Sequence, residues 1–290
     1  MTRKSTGKFN YLLALLVFGL TMLLMYLAAG VLTFGISLAA VLLQGMNGAG
    51  RVYSYLMDNM NLYSVLVYLI VLSVFGLWYY FAFVQKTGMK SYARGSVAQF
   101  SPLSFVWMLL LAFAAQHATS LIMMLVAALA PNAMNEYTQM IEVSGMNNYS
   151  LLWFVGTLIL PPVTEEIIFR GLILGYLRRA GAGFILANLI QAVCFGIYHQ
   201  NLVQGIYAVV MGFLLGYLAD RYESLLAPMF LHFLFNLFGT VLVELESTFI
   251  PQYGQVMLIL QSIPLLVASL LLIQLRVGEK GKKVQEEKRP

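Results

Sequence analysis

The segment that decides the fold spans residues 151–174 and reads LLWFVGTLILPPVTEEIIFRGLIL. It is apolar enough to cross a bilayer, yet it contains Glu165, Glu166 and Arg170. A charged side chain at bilayer depth costs from about 2.5 to more than 10 kcal/mol. A chain does not need three such residues merely to fold, so they indicate a functional site inside the membrane.

The composition of the whole chain agrees with a membrane protein. Of the 290 residues, 60% are hydrophobic and 10% are charged, and the mean hydropathy is +0.81. A soluble domain has about 25% charged residues. We therefore predict an all-α polytopic protein that is surrounded by the lipid bilayer and has no separate soluble domain. The single Cys194 excludes an internal disulfide, and the net charge of +5 is spread over loops and the C-terminal tail, which gives no reason to expect a nucleic-acid partner.

Hydropathy and helix-breaking residues predict about eight transmembrane helices with an active site inside the helix bundle. The expected spans lie near residues 10–42, 61–84, 103–130, 150–177, 184–200, 203–219, 225–243 and 254–275. About three of these spans form an N-terminal unit, residues 1–149. A core unit, residues 150–243, contains the charged segment. The last transmembrane helix lies in residues 244–275, and residues 276–290 form a basic cytoplasmic tail.

The charges of the loops predict the orientation of the chain. Basic side chains precede the first span and follow the second, fourth, sixth and eighth spans: Arg3, Lys4, Lys8, Lys86, Lys90, Arg94, Arg178, Arg179, Arg221, Arg276, Lys280, Lys282, Lys283, Lys288 and Arg289. Lys and Arg favour cytoplasmic loops, so we expect both termini in the cytoplasm of a bacterial cell, with the protein in the cell membrane. Ala28-Ala29-Gly30 could instead be a signal cleavage site, but the first apolar run is longer than a signal core and favours a retained span.

The spacing of the charged residues in the fourth span suggests different roles for its two carboxylates. Glu165 and Glu166 lie about 100° apart on a helix, and Arg170 is one turn beyond Glu166, where the two can pair. We therefore expect Glu166 and Arg170 to support the structure and Glu165 to face a cavity. Pro161-Pro162 predict a break or kink just upstream, with a restarted helix whose N-terminus would favour the carboxylate. A buried ion pair that only joins two helices is the alternative interpretation.

Two later spans supply further polar groups. His199 follows Phe195 by four residues near the end of the fifth span, and Asn236 follows His232 by four residues in the seventh. Taken singly, each could be an interfacial residue or a hydrogen-bonding link between helices. Together with a carboxylate, two imidazoles and an amide supply a general base and fixed donors for an oxyanion. That combination suits hydrolysis of an acyl bond, most plausibly a peptide bond, by an activated water.

The three motifs resemble those of a known family. They read Glu165-Glu166-x-x-x-Arg170, Phe195-x-x-x-His199 and His232-x-x-x-Asn236, in this order and in separate spans. In order and approximate spacing they are similar to the motifs of the CPBP family, which contains the CAAX prenyl endopeptidases and the bacteriocin-processing and self-immunity membrane proteases. The resemblance covers roughly residues 150–240, while the first three spans show nothing specific.

The resemblance implies an intramembrane endopeptidase that cuts a membrane-associated or hydrophobic peptide. Glu165 and His199 would activate the water, and His232 and Asn236 would form the oxyanion site. The family has been described both as metalloproteases and as metal-independent glutamate proteases. Zinc therefore stays open as a cofactor, with Glu165, His199 and His232 as its candidate ligands. The absence of a His-Glu-x-x-His pair gives this possibility no further support.

Two rival functions remain at this point. A proton-coupled transporter would use the same charged residues as a relay, but the chain has no convincing inverted repeat. A membrane scaffold or immunity protein of the same fold would bind without cutting.

A geometric difficulty also remains, because upright helices counted from their cytoplasmic ends place Glu165, His199 and His232 at three different depths.

Some other residues are expected to serve packing. Gln116, His117, Thr119 and Ser120 cluster in the third span, where they predict hydrogen bonds between helices or, alternatively, a water path. Two small-residue pairs, Gly171-x-x-x-Gly175 and Gly212-x-x-x-Gly216, predict close helix contacts.

Overall fold

The computed structural model describes residues 3–144 and 149–286. Within these ranges the chain is helical and contains no β-strand. The described helices are α1 (Arg3–Gln44), α2 (Met46–Asp58), α3 (Met60–Val84), α4 (Met89–Val97), α5 (Pro102–Leu129), α6 (Pro131–Val143), α7 (Leu151–Arg179), α8 (Phe184–Tyr198), α9 (Leu202–Tyr222), α10 (Leu226–Phe249) and α11 (Gln252–Glu286).

Seven of the described helices, α1, α3, α5, α7, α9, α10 and α11, are long and apolar enough to cross a membrane. Large apolar side chains such as Leu15, Leu43 and Leu129 are exposed along these helices, which is the surface that a lipid environment accommodates. The protein is therefore an all-α polytopic membrane protein, as the composition predicts. The predicted tail lies partly in α11, and residues 287–290 lie outside the described residues.

The fifth predicted span, residues 184–200, is too short to count among the seven membrane-spanning helices. It forms helix α8, whose 15 residues extend for only about 22 Å, less than the roughly 30 Å of hydrocarbon. Helix α8 instead forms a tight hairpin with α9. The connecting turn contains Gln200 in a left-handed conformation (φ 55°), and the Asn201 side chain accepts a hydrogen bond of 3.0 Å from the Gln204 N–H at the start of α9.

The ends of three helices meet at one end of the bundle. A Cβ at Gly7 would lie 3.3 Å from the Ala180 carbonyl, and Arg179 Nη2 donates to the Ala82 carbonyl over 3.1 Å. The start of α1, the end of α3 and the end of α7 are therefore neighbours. Arg178 and Arg179, the basic residues in the last turn of α7, therefore lie at this end of the bundle.

Helix α7 is continuous through Pro161-Pro162, so a break with a restarted helix, the first of the two alternatives predicted there, is wrong, and the kink stays a prediction. The turns on both sides of the segment Leu160–Glu166 are π-helical, at Phe154–Ile159 and Ile167–Leu174. A proline lacks the N–H that an α-helical turn needs, and the wider turn that precedes it changes the hydrogen-bonding pattern without ending the helix. No free helix N-terminus therefore lies beside Glu165.

The predicted difference in depth between Glu165 and His232 disappears because α10 begins inside the bundle. Leu225, just before α10, has its Cδ1 atom 3.2 Å from the position of a Cβ at Gly171. Gly171 lies eight residues before the end of α7, which corresponds to about 12 Å of helix. The assumption that α7 and α10 have their cytoplasmic ends at one level is thus wrong. Since the two helices run antiparallel, residue 232 reaches the level of residues 165 and 166.

Small residues bring α3 and α7 together. A Cβ at Gly171 or at Gly175 would lie 2.8 Å from ring atoms of Tyr79 or Phe83, respectively. Helix α7 therefore presents two glycines, one turn apart, to two aromatic rings that are one turn apart on α3. This confirms the predicted close contact and aligns the middle of α3 with the charged segment of α7.

Candidate active site

Glu166 lies at the centre of the polar cluster in the bundle. Its Oε1 atom accepts a hydrogen bond of 2.9 Å from Arg170 Nη1 and lies 2.8 Å from His232 Nδ1. The side chains of Glu166 and Arg170 are both completely buried. The predicted pairing of Glu166 with Arg170 is thus present, and the same carboxylate also connects α7 to α10.

Arg170 is fixed by three kinds of contact. Besides its bond to Glu166, its Nη2 atom donates to the Gly212 carbonyl of α9 over 3.0 Å. Its guanidinium carbon lies 4.4 Å from the centre of the Phe195 ring on α8, a distance typical of a cation–π interaction. A single buried cation therefore joins α7 to both helices of the α8–α9 hairpin.

His232 lies between the two carboxylates of α7. Its Nδ1 atom faces Glu166, and its Nε2 atom is 3.7 Å from Glu165 Oε2. A separation of 3.7 Å is longer than a direct hydrogen bond, but it allows one water oxygen to lie within hydrogen-bond distance of both atoms. If both carboxylates are ionised, Arg170 balances one of them and a proton on His232 balances the other.

Glu165 is held from the opposite side by a residue of the second span. The Tyr68 hydroxyl on α3 donates to Glu165 Oε1 over 2.7 Å, and the Tyr198 hydroxyl lies 3.4 Å from that of Tyr68. Glu165 is only 2% exposed. Its two oxygens therefore have separate environments, one on a tyrosine hydroxyl and the other beside His232.

His199 lies at the C-terminal end of α8 and is half-buried. The centre of its ring is 4.9 Å from that of Phe195, and Phe195 in turn lies 5.8 Å from the His232 ring. The predicted sharing of one helical face by Phe195 and His199 is thus present. One aromatic side chain contacts both imidazoles, which places His199 at the edge of the cluster that contains His232.

Asn236 follows His232 by one helical turn and is half-buried. Its Nδ2 atom donates to the Thr157 carbonyl over 3.1 Å. Thr157 belongs to the first π-helical turn of α7, and such a turn changes which backbone carbonyls have partners within the helix. An asparagine amide has two N–H donors, so one of them is available for another acceptor.

A zinc site requires several ligand side chains that converge on one point. Among the described residues, no group of three His, Cys, Asp or Glu side chains is arranged to hold a metal ion. The described arrangement of Glu165, His199 and His232 therefore does not fit the zinc site for which they are candidate ligands.

The polar cluster of the third span has other partners. His117 Nε2 lies 3.1 Å from Glu246 Oε2 at the far end of α10, and Thr119 bonds to the Ala115 carbonyl of its own helix. The contact of His117 with Glu246 is an interaction between helices, which is the first of the two interpretations predicted for this cluster.

The sequence interpretation missed Tyr68, Tyr198 and Thr157. The two tyrosines lie in apolar segments among 17 tyrosines in the chain, and neither belongs to a spaced motif. Thr157 contributes only its backbone carbonyl. Tyr198 alone had a local signal, because it directly precedes His199.

Residues 147–238 match the family model described as "Type II CAAX prenyl endopeptidase Rce1-like". The resemblance predicted from the three motifs is confirmed for this segment. A Bacillus subtilis (strain 168) protein named "Putative membrane peptidase YdiL" is 37% identical over 95 residues, which are 33% of this chain and 38% of that protein. The chain thus spans less than half the length of the curated relative that it matches, and no solved structure matches it.

Proposed function

We propose that this protein is an intramembrane endopeptidase that hydrolyses peptide bonds of membrane-associated or hydrophobic peptides. The observation that supports this most directly is the buried pair of Glu165 and His232, whose facing atoms are 3.7 Å apart. The match of residues 147–238 to a prenyl endopeptidase family supports the same reaction class. The catalytic core would occupy residues 150–243, in a cell membrane with both termini cytoplasmic.

In the proposed reaction Glu165 acts as the general base, together with His199. Glu165 Oε2 takes a proton from a water molecule as the water oxygen forms a bond to the carbonyl carbon of the substrate. The π electrons of the carbonyl move to its oxygen and form a tetrahedral oxyanion. Since Tyr68 occupies Oε1, Oε2 is the oxygen that would face the water.

His232 and Asn236 are the proposed donors to the oxyanion. Nε2–H of a doubly protonated His232 and the second N–H of Asn236 come from residues one helical turn apart on α10. Fixed donors in a water-poor site stabilise a developing negative charge strongly. Collapse of the intermediate breaks the carbon–nitrogen bond, and the leaving nitrogen takes the proton from Glu165, which restores the carboxylate.

Glu166 and Arg170 support this arrangement without contacting the substrate. Glu166 accepts a hydrogen bond from Nδ1–H of His232, which fixes the orientation of the ring, so that Nε2–H of the doubly protonated imidazole is directed towards the side of Glu165. Arg170 neutralises Glu166 inside the bundle. A buried carboxylate that lacked this cation would be costly.

The proposal is tested by comparing peptide termini from cells with the wild-type protein or Glu165→Gln at matched expression. New termini in membrane and secreted peptides that appear only with the wild-type protein would support proteolysis and identify the substrate. The control is Glu142→Gln, which removes an exposed carboxylate on α6 and should leave the profile of the wild type. Identical profiles for wild type and Glu165→Gln would overturn the proposal and favour a non-cutting scaffold.

A further inference from the structure

Tyr68 connects the N-terminal helices to the polar cluster. It lies on α3, outside residues 147–238, which are the part of the chain that the family model covers. Its hydroxyl donates a hydrogen bond of 2.7 Å to Glu165 Oε1, across 97 residues of sequence. The site therefore receives a direct polar contact from a helix that contains none of the three motifs.

The contact determines how the Glu165 carboxylate is turned. A carboxylate can rotate about its terminal bond, and this torsion has broad minima. A hydrogen bond to a charged acceptor is roughly twice as strong as one between neutral groups. The Tyr68 bond to Oε1 therefore keeps Oε2 on the side of His232, 3.7 Å from Nε2.

Tyr198 extends this support towards His199. Its hydroxyl lies 3.4 Å from the Tyr68 hydroxyl. Its ring is 5.4 Å from the Phe169 ring of α7 and 5.4 Å from the imidazole of the adjacent His199. Tyr68 is thus connected to both proposed base residues: it bonds directly to Glu165, and it contacts Tyr198, which lies against His199.

We propose that Tyr68 is a positioning residue that holds Glu165 Oε2 towards the substrate side of the site. This inference rests on the proposed function, since it assigns a role to Tyr68 in the same reaction. It implies that the segment covered by the family model is incomplete as an enzyme without α3.

The test uses Tyr68→Phe in the full-length protein in liposomes. Its matched control is Tyr79→Phe on the same helix, which removes a hydroxyl that lies 3.0 Å from the Tyr92 hydroxyl, away from Glu165. The probe is a quenched fluorogenic peptide that spans the cleavage site found in the comparison of termini. We expect Tyr68→Phe to lower kcat roughly 10- to 100-fold, because a small misplacement of a reacting group has effects of this size, and to leave KM within about twofold.

A purely structural role would change different quantities. Tyr68→Phe and Tyr79→Phe should have equal melting temperatures in detergent, so that a loss of kcat in Tyr68→Phe alone reports on the site. A kcat for Tyr68→Phe equal to that of Tyr79→Phe would overturn the positioning role. A fall in melting temperature that accounts for the whole loss of activity would overturn it as well.

An infrared measurement tests the contact without turnover. The difference spectrum between wild type and Glu165→Gln isolates the carboxyl band of Glu165, and Tyr68→Phe should shift that band while Tyr79→Phe should not. An unshifted band in Tyr68→Phe would overturn the inference. If the wild-type protein cuts peptides and Tyr68→Phe cuts them equally fast, only the role of Tyr68 is overturned. If the wild type and Glu165→Gln give identical termini, both the proposed function and the role of Tyr68 are overturned.

Discussion

His232 joins two neighbouring carboxylates of one helix, with Nδ1 2.8 Å from Glu166 Oε1 and Nε2 3.7 Å from Glu165 Oε2. The shorter contact belongs to the carboxylate that also pairs with Arg170, and the longer one joins atoms that a single water oxygen could bridge. The two glutamates are consecutive in sequence, yet they have different partners. We therefore expect their substitutions to change the stability of the fold by different amounts.

Glu166→Gln should destabilise the fold. The substitution leaves Arg170 buried at the centre of the bundle without its ionic partner, and the loss of one member of a buried pair costs about 3–5 kcal/mol. Glu165→Gln retains a group that can accept the Tyr68 hydrogen bond, so its free energy of unfolding should change by about 1 kcal/mol or less. Denaturation of the purified proteins by SDS in micelles would compare the two. Equal stabilities would contradict the different roles assigned to them.

Asn236→Ala should reduce turnover more than substrate affinity. Loss of one donor to an oxyanion lowers kcat by about 100- to 1,000-fold, whereas the ground-state substrate does not need that donor. Steady-state kinetics with the fluorogenic peptide should therefore give a nearly unchanged KM. Thr240→Ala is a suitable control, because it removes a hydroxyl that bonds to the Asn236 carbonyl and keeps the Asn236 amide. A KM effect without a kcat effect would assign Asn236 to substrate binding.

Gly216→Ala should disturb the α8–α9 hairpin. A Cβ at Gly216 would overlap the buried Asn188 side chain, and excess volume in a packed interior costs about 1–3 kcal/mol. The control Gly30→Ala adds the same methyl group on α1, where a Cβ would have no neighbour within 4 Å. Melting temperatures in detergent should fall for Gly216→Ala only. A similar change in both variants would show that the contact with Asn188 can relax.

His117 and Glu246 should be energetically coupled. Their facing atoms are 3.1 Å apart and their side chains are only 6% and 12% exposed. A double-mutant cycle with His117→Gln and Glu246→Gln should give an interaction free energy of about 0.5–3 kcal/mol, as found for residues in direct contact. Additive effects of the two substitutions would mean that the pair contributes nothing to the packing of α5 against α10.

The features that sequence could predict are those that depend on near neighbours in the chain. Apolar runs end where polar turns begin, so the ends of α3 and α5 lie within a residue or two of the predicted ones. The pairing of Glu166 with Arg170 followed from a spacing of one helical turn.

The features that sequence could not predict depend on distant parts of the chain. The contact of Tyr68 with Glu165 spans 97 residues, and no periodicity in either segment indicates it. The starting depth of α10 depends on how Leu225 packs against Gly171, which hydropathy cannot measure. The prolines of α7 predicted a break because their lost hydrogen bonds are visible in the sequence, whereas the π-helical turns that accommodate them are not.

Those two π-helical turns, Phe154–Ile159 and Ile167–Leu174, lie on both sides of the glutamate pair. Each adds one residue to the ordinary count of an α-helix, so each rotates the rest of the helix by about 100°. If the same residues were wound as an uninterrupted α-helix, the residues beyond each turn would point at different neighbours. The lengths of these two turns therefore set the angle, about the axis of α7, between the side chain of Glu165 and the faces of α7 that pack against α3 and α10.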